Sequence, residues 1–178
     1  MNTRYFSNKQ YFTQLPVDKI INGAKAVLLS LTLLYAMTGT AHALQRGDSL
    51  PAELASKLAL DPEKISMVDF FASWCVSCRI ELPEVDHLSK VLKGESVEFV
   101  GIQVDEDAEV GSQFLKEMAL SLRVVDDQNQ QIIGIFEPIG MPALYYIQHN
   151  KVLGIRFGAI PNIGEIIKQD LLQLGALK

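Results

Sequence analysis

The sequence is poor in the residues that bind metals and polyanions. Its 178 residues include only two cysteines and three histidines, His42, His87 and His149. No histidine supplies an obvious third ligand beside the cysteines, so a zinc or Cu(I) site would need a second chain. After residue 43 the chain has 12 Lys and Arg against 20 Asp and Glu, because four of its 16 basic residues and one of its 21 acidic residues come earlier. That acidic balance argues against nucleic acid and anionic membranes as partners.

The sequence also lacks an apolar run long enough to cross a membrane as a helix. The run at 26–37 has 12 residues, which is short of the roughly 18 to 20 that a spanning helix needs. Basic residues precede this run and Ala41-His42-Ala43 follows it, which is typical of a secretory signal peptide. We therefore predict that residues 1–43 are a signal peptide, that Leu44 begins the mature protein, and that 44–178 form one exported, periplasmic domain. An uncleaved inner-membrane anchor is the alternative.

The two cysteines lie close together, in the stretch FFASWCVSCRIELP at 70–83. A disulfide between Cys75 and Cys78 would close a very small loop and stabilise the fold little, which favours a chemical role. Cys75 opens a predicted helix, where unpaired backbone N–H groups and the helix dipole stabilise a thiolate. We expect Cys75 to be the nucleophile and Cys78, one turn later and more buried, to resolve the mixed disulfide. Half of a metal site and a pair of inert core cysteines are the alternatives.

The hydrophobic pattern predicts an α/β fold, without internal repeats. The continuous apolar stretch before Cys75 is typical of a strand buried on both faces. The later segments alternate between β-branched strands and amphipathic helices, and a tight hairpin is expected at His149-Asn150. The predicted strands are 64–73, 97–105, 122–127, 142–148 and 151–158, and the predicted helices are 47–62, 75–92, 108–120, 130–138 and 163–175. This order predicts a mixed sheet with helices on both faces.

A C-x-x-C pair between a buried strand and a helix is the context of a redox motif. The segment VDFFASWCVSCRIELP at 68–83 resembles the active-site segment of the thioredoxin superfamily, and in particular that of the TlpA/ResA/DsbE-type periplasmic reductases. The likeness extends over about 66–173. It implies a thioredoxin-like fold and a thiol–disulfide oxidoreductase without a flavin, haem or metal cofactor.

The resemblance also implies roles for two acidic residues. Asp69 matches the buried acid that helps to deprotonate the second cysteine, and a lone carboxylate within MVDFF is costly unless it is paired or used. Glu81 is one helical turn after Cys78 and is similar to a glutamate that tunes the cysteines in TlpA-like reductases. The alternatives are a solvated Asp69 at a sheet edge and an exposed charge at Glu81.

Three further residues are implied to bind substrate. Met141-Pro142 resembles the cis-proline loop that faces the cysteines, where the Met141 backbone would pair with a substrate backbone in the manner of a strand. From the pattern alone, this segment is only a turn before a strand. Trp74 is expected to pack beside the sulfurs and cover the site.

The sequence departs from the family pattern in three places. Val76-Ser77 contains no proline, so a reduction potential is not inherited from relatives. Ala143 stands where the cytochrome-maturation branch usually has Glu or Thr. The segment GDSLPAELASKLALDPEKIS at 47–66 looks helical, in place of the usual leading β-hairpin, and the role of residues 44–65 is not indicated by the sequence.

The charges indicate the direction of electron flow. Asp69 and Glu81 place negative charge near the cysteines, which disfavours a thiolate and makes the pair more reducing. We therefore predict a reductase of disulfides in periplasmic proteins, with apocytochrome c as one substrate and a DsbD/CcdA-like membrane thiol protein as electron donor. A thiol oxidase or isomerase, a Cu(I)- or zinc-binding module, and a non-catalytic binding domain are the alternatives.

Overall fold

The structure is a computed structural model, and it describes residues 42–178. The predicted signal peptide lies outside this part of the chain, apart from His42 and Ala43. Within residues 42–178, no helix has the length and apolar character needed to span a membrane.

The described residues form five strands and five helices in the predicted order. The strands are β1 (Ile65–Phe71), β2 (Val97–Gln103), β3 (Arg123–Asp126), β4 (Ala143–Gln148) and β5 (Lys151–Phe157). The helices are α1 (Ala52–Lys57), α2 (Val76–Val91), α3 (Ala108–Met118), α4 (Ile133–Phe136) and α5 (Ile163–Gln173). The predicted α/β class and mixed sheet are confirmed.

The five strands form one sheet in the order β3-β2-β1-β4-β5. Strands β1, β2 and β3 are parallel, whereas β4 is antiparallel to both β1 and β5. The central strand β1 is buried at all seven positions, as its uninterrupted apolar run predicts. His149 and Asn150 join β4 to β5 with positive φ angles of 49° and 61°, the conformation that a two-residue hairpin turn requires.

Helices cover both faces of the sheet. On one face, Met67 and Tyr146 form a cluster with Val85 of α2 and Ile167 of α5. On the other face, the Phe70 ring packs against Phe136 of α4, with 4.8 Å between the ring centroids. Side chains alternate between faces along a strand, so Asp69 lies on the same face as Met67, which α2 covers.

The segment before β1 contains a short helix, as predicted, and it is tied to the edge of the sheet. Ser49 forms an isolated antiparallel bridge with Lys151, and the backbone N–H of Val152 donates to the carbonyl of Asp48 at 2.9 Å. The backbone N–H of Leu44 donates to the carbonyl of Phe136 at 3.0 Å. The contacts of Asp48 and Ser49 extend the sheet beyond β5, and the bond from Leu44 ties this segment to the end of α4.

Candidate active site

Three segments meet at one edge of the sheet. The parallel strands β1 and β2 both end there, with Phe71 paired to Gln103. Strand β4 begins at the same edge, because its antiparallel register pairs Ala143 with Phe70. The cysteine segment, the residues after β2 and the Met141-Pro142 segment are therefore neighbours.

A tight turn carries the chain from β1 to the first cysteine. The Cys75 backbone N–H donates to the carbonyl of Ala72 at 3.2 Å, which closes a four-residue turn with Ser73 and Trp74 at its corners. Cys75 is the N-cap of α2, with extended backbone angles, and its Sγ accepts a bond from the Cys78 backbone N–H at 3.2 Å. The sulfur thus receives one of the unpaired N–H groups at a helix N-terminus, which stabilise negative charge.

The two cysteines form a disulfide, and they differ in burial. The S–S distance is 2.06 Å. Cys75 is 7% exposed, whereas Cys78 is 1% exposed. Solvent and a partner protein therefore reach the Cys75 sulfur more readily than the Cys78 sulfur. When Cys75 forms a mixed disulfide with a partner, Cys78 stays shielded from solvent. This arrangement is the one expected for a nucleophilic and a resolving cysteine.

Asp69 lies in the middle of β1 and is only 6% exposed. Its backbone pairs with Gly101 on one side and Leu144 on the other, so the alternative of a solvated residue at a sheet edge is wrong. Burial raises the pKa of the Asp69 carboxyl well above its usual range, and the charge of Glu81 raises it further. Asp69 therefore holds its proton at a pH where an exposed aspartate has lost it.

Glu81 is buried as well, so the alternative of an exposed helix charge is also wrong. Its carboxylate accepts a short hydrogen bond from the backbone N–H of Ile160, in the loop after β5. Burial raises the pKa of Glu81, the bond from Ile160 lowers it, and the charge of Glu84 raises it. The net shift of the Glu81 pKa is upward. Asp69 and Glu81 are thus two buried acids, and the charge of Glu81 acts on Asp69.

The one cation adjoining the cysteines in the sequence, Arg79, is engaged elsewhere. Its guanidinium forms an ion pair with Glu117 of α3 at 3.2 Å and lies 4.7 Å from the centre of the Phe114 ring. The guanidinium of Arg79 is therefore paired with α3, whereas the Cys75 sulfur accepts a bond from a backbone N–H at the N-terminus of α2.

The peptide bond between Met141 and Pro142 is cis, as the resemblance implies. Pro142 is buried and Met141 is partly exposed. The Pro142 carbonyl accepts a bond from the Gly158 N–H at 2.9 Å, whereas the backbone N–H and carbonyl of Met141 have no backbone partner within residues 42–178.

Large apolar side chains are exposed around the disulfide. Trp74 is 67% exposed, and Val76, Ile80 and Ile139 are exposed as well. Val76 and Ile80 are four residues apart on α2 and so share one face of the helix. Trp74 is not a core residue, and its indole is available to a partner.

Sequence reasoning missed Ser73, Gln103 and Asp105, which form one hydrogen-bonded cluster at the turn before Cys75. The Asp105 carboxylate accepts hydrogen bonds from Ser73 and from Gln103. An aspartate at the end of an apolar strand was the only available signal, and it is a weak one.

The histidines take no part in this site. His42 contacts Asp48 and His149 contacts Glu63, while His87 is exposed on α2. Across residues 42–178, no three His, Cys, Asp or Glu side chains are arranged to hold a metal ion.

A family model and several curated proteins are similar to this chain in sequence. A family model described as thioredoxin-like matches residues 63–152. The thiol-disulfide oxidoreductase ResA of Oceanobacillus iheyensis is 32% identical over 84 residues, which cover 47% of this chain and 44% of that protein. ResA of Bacillus subtilis is 26% identical over 94 residues and covers 52% of each protein. The chain thus spans about half the length of these curated relatives.

Solved structures extend the likeness over more of the chain. A crystal structure named for a thiol:disulfide interchange protein DsbE from Chlorobium tepidum aligns with a TM-score of 0.64 and 25% identity. The alignment covers 74% of this chain and 98% of that one. The resemblance to ResA- and DsbE-type proteins that the cysteine segment indicated is therefore confirmed.

Proposed function

Because the chain belongs to the thioredoxin-like family, we propose that it is a thiol–disulfide oxidoreductase of the ResA/DsbE type. One observation carries this proposal. The Cys75–Cys78 disulfide lies at the N-terminus of α2, where the Cys78 backbone N–H donates to the Cys75 sulfur. This is the arrangement that makes a cysteine both a good nucleophile and a good leaving group.

The reaction begins from the reduced pair. The Cys75 thiolate attacks one sulfur of a substrate disulfide, forms a mixed disulfide with it, and releases the other substrate sulfur as a thiolate that takes up a proton. The Cys78 thiol then loses its proton and attacks the Cys75 sulfur, which releases the second substrate sulfur. The substrate gains two electrons and two protons, and Cys75 and Cys78 are oxidised to their disulfide.

The second step needs a proton acceptor, because Cys78 is almost fully buried. We assign this role to the ionised form of Asp69, which lies on the sheet face that α2 covers and whose pKa is raised by burial and by Glu81. A carboxylate with a raised pKa is matched to a thiol more closely than an ordinary aspartate is, so proton transfer between them is less uphill. The charge of Glu81 raises the pKa of Asp69 and disfavours the cysteine thiolate.

The surface around the disulfide would receive an extended polypeptide. The unpaired backbone N–H and carbonyl of Met141 offer a strand-like pairing to a substrate backbone. The exposed side chains of Trp74 and Ile139 would contact apolar residues beside the substrate disulfide. We therefore assign substrate binding to Trp74, Met141 and Pro142.

The buried acids favour reduction as the physiological direction. Negative charge from Glu81, and from Asp69 once it has ionised, disfavours the Cys75 thiolate, destabilises the dithiol and lowers the reduction potential. Together with the predicted signal peptide, this supports a periplasmic reductase of disulfides in exported proteins, apocytochrome c among them. In an oxidising compartment the pair would be reduced again by a DsbD/CcdA-like membrane thiol protein.

Single-cysteine variants test the chemistry. We expect Cys78→Ala to accumulate a stable mixed disulfide with a model protein disulfide such as insulin, because nothing remains to release it. We expect Cys75→Ala to form no such adduct, since the remaining thiol is buried. Mass spectrometry under non-reducing conditions reads both outcomes. Equal adduct formation by the two variants, or none by either, would contradict the proposal, and stoichiometric zinc or Cu(I) binding by the inactive reduced protein would favour the metal-binding alternative.

A further inference from the structure

A buried carboxylate that the mechanism above does not use holds the chain two residues before Cys75. We propose that Asp105 is a positioning residue for the cysteine pair, because it fixes the turn that presents the Cys75 sulfur at the helix N-terminus. The inference rests on the proposed function and adds a residue to its machinery.

Both oxygens of the Asp105 carboxylate bind the same residue of the turn. Oδ2 accepts a bond from the Ser73 backbone N–H at 2.9 Å, and Oδ1 accepts one from the Ser73 hydroxyl at 2.7 Å. Asp105 is 3% exposed, so these bonds lie where water competes little for them. The two bonds together fix the position and the orientation of Ser73.

The carboxylate is itself held in place from the other side. The side-chain amide of Gln103, at the end of β2, donates a short hydrogen bond to Asp105 Oδ2. Helix α3 passes close above this amide, because a Cβ added to Gly111 would overlap the Gln103 side chain. A glycine at that point of α3 leaves the room that Gln103 occupies, so sheet, helix and turn meet at one polar cluster.

Ser73 connects the Asp105 carboxylate to the segment that carries the Cys75 sulfur. It is the second residue of the turn that the Cys75 N–H closes on Ala72, and only Trp74 separates it from the N-cap. Trp74 is largely exposed and gives the turn little anchoring of its own. Within residues 42–178, Asp105 is the residue outside this turn whose side chain hydrogen-bonds to it. The position of the turn matters for Cys75, because thiolate stabilisation at a helix N-terminus falls off within one turn.

A purely electrostatic role would have the opposite effect, which makes the two roles separable. A nearby negative charge disfavours the thiolate, so removing the charge alone would lower the pKa of Cys75. Releasing the turn would move the sulfur from the helix N–H groups and raise that pKa. Asp105→Ala removes the charge and both bonds, whereas Asp105→Asn removes the charge but keeps an acceptor for Ser73.

The test measures the reduced protein and four variants. The readouts are the pH midpoint of Cys75 alkylation by iodoacetamide and the rate of insulin reduction at pH 7. We expect Asp105→Ala to raise the midpoint and to slow reduction about tenfold, because misplacement of a reacting group is costly. Asp105→Asn should stay within about threefold of the wild-type rate, and Ser73→Ala should fall between the two. Glu106→Ala, which removes a charge from the adjacent exposed position, should change neither readout.

Other results would overturn the inference. A lowered midpoint of equal size in Asp105→Ala and Asp105→Asn would show that the residue acts by charge alone. Wild-type values in Ser73→Ala would show that the bonds to Ser73 do not set the reactivity of Cys75, even if Asp105→Ala fails to fold, and thermal unfolding of each oxidised variant identifies such a failure. Failure of the proposed function is distinct, because the wild-type protein would then not reduce insulin at all.

Discussion

Replacing Asp69 by asparagine should change how the stability of the oxidised protein depends on pH. The carboxyl is buried in the central strand, and no side-chain hydrogen bond reaches it from any residue in 42–178. Burial and the Glu81 charge raise its pKa well above the usual range, so the native state binds this proton more tightly than the unfolded chain does. Unfolding therefore releases a proton, and raising the pH favours unfolding.

The size of the effect follows from proton linkage. Between the pKa of the unfolded chain, about 3.9, and the raised native pKa, one such group lowers the free energy of unfolding by about 1.4 kcal/mol per pH unit. Below both values its contribution is constant and fully present, and it is lost progressively as the pH rises to the native pKa. In Asp69→Asn this loss is absent. The buried amide adds only an offset of about 1 to 3 kcal/mol, which does not vary with pH.

Urea unfolding of wild type and Asp69→Asn at several pH values from 4 to 8 measures the difference. We expect the variant to gain stability relative to wild type as the pH rises. Asp86→Asn is the matched control, because burial raises the pKa of Asp86 but bonds from Lys90, Leu122 and Ser121 outweigh it and lower the pKa. That variant should lose stability at neutral pH and approach wild type in acid. A constant difference between Asp69→Asn and wild type would refute the assignment of a buried, protonated Asp69.

Three further changes have predicted outcomes. Glu81→Gln removes negative charge behind the sulfurs and should raise the reduction potential by about 10 to 30 mV in glutathione buffers; an unchanged potential would contradict the electrostatic argument for a reductase. Asp170→Asn weakens the hydrogen bonds that the Asp170 carboxylate accepts from the phenol of Tyr146 and the guanidinium of Arg156. The free energy of unfolding in urea should fall by about 1 to 3 kcal/mol, a range that allows for the partly exposed guanidinium. Gly111→Ala should displace the Gln103 side chain and slow insulin reduction several-fold, whereas Gly134→Ala, whose added Cβ meets no atom within 4 Å, should match wild type.

The elements that the sequence predicted are those with a local signal. The uninterrupted apolar run of β1 indicated a strand buried on both faces, and His149-Asn150 indicated a two-residue turn between strands. The order of strands and helices then left few ways to pair them, and the mixed sheet followed. The Cys75–Cys78 pair was recognisable because both residues lie on one short segment whose context the fold preserves.

The remaining features of the site depend on long-range contacts. Asp105 and Ser73 are 32 residues apart and meet only because β1 and β2 end at the same edge of the sheet. The bond between Glu81 and the Ile160 N–H spans 79 residues, so spacing along α2 could indicate the face of Glu81 but not its partner. The exposure of Trp74 likewise depends on which segments surround the turn, and a single aromatic residue beside Cys75 does not reveal it.

The reduction potential of the Cys75–Cys78 pair at pH 7 distinguishes a reductase from an oxidant of thiols. It can be measured by equilibrating the protein in dithiothreitol or glutathione buffers and following Trp74 fluorescence. The buried acids predict a value near that of thioredoxin, about −270 mV, or lower. A value near −120 mV would contradict the account and make the protein an oxidant of thiols.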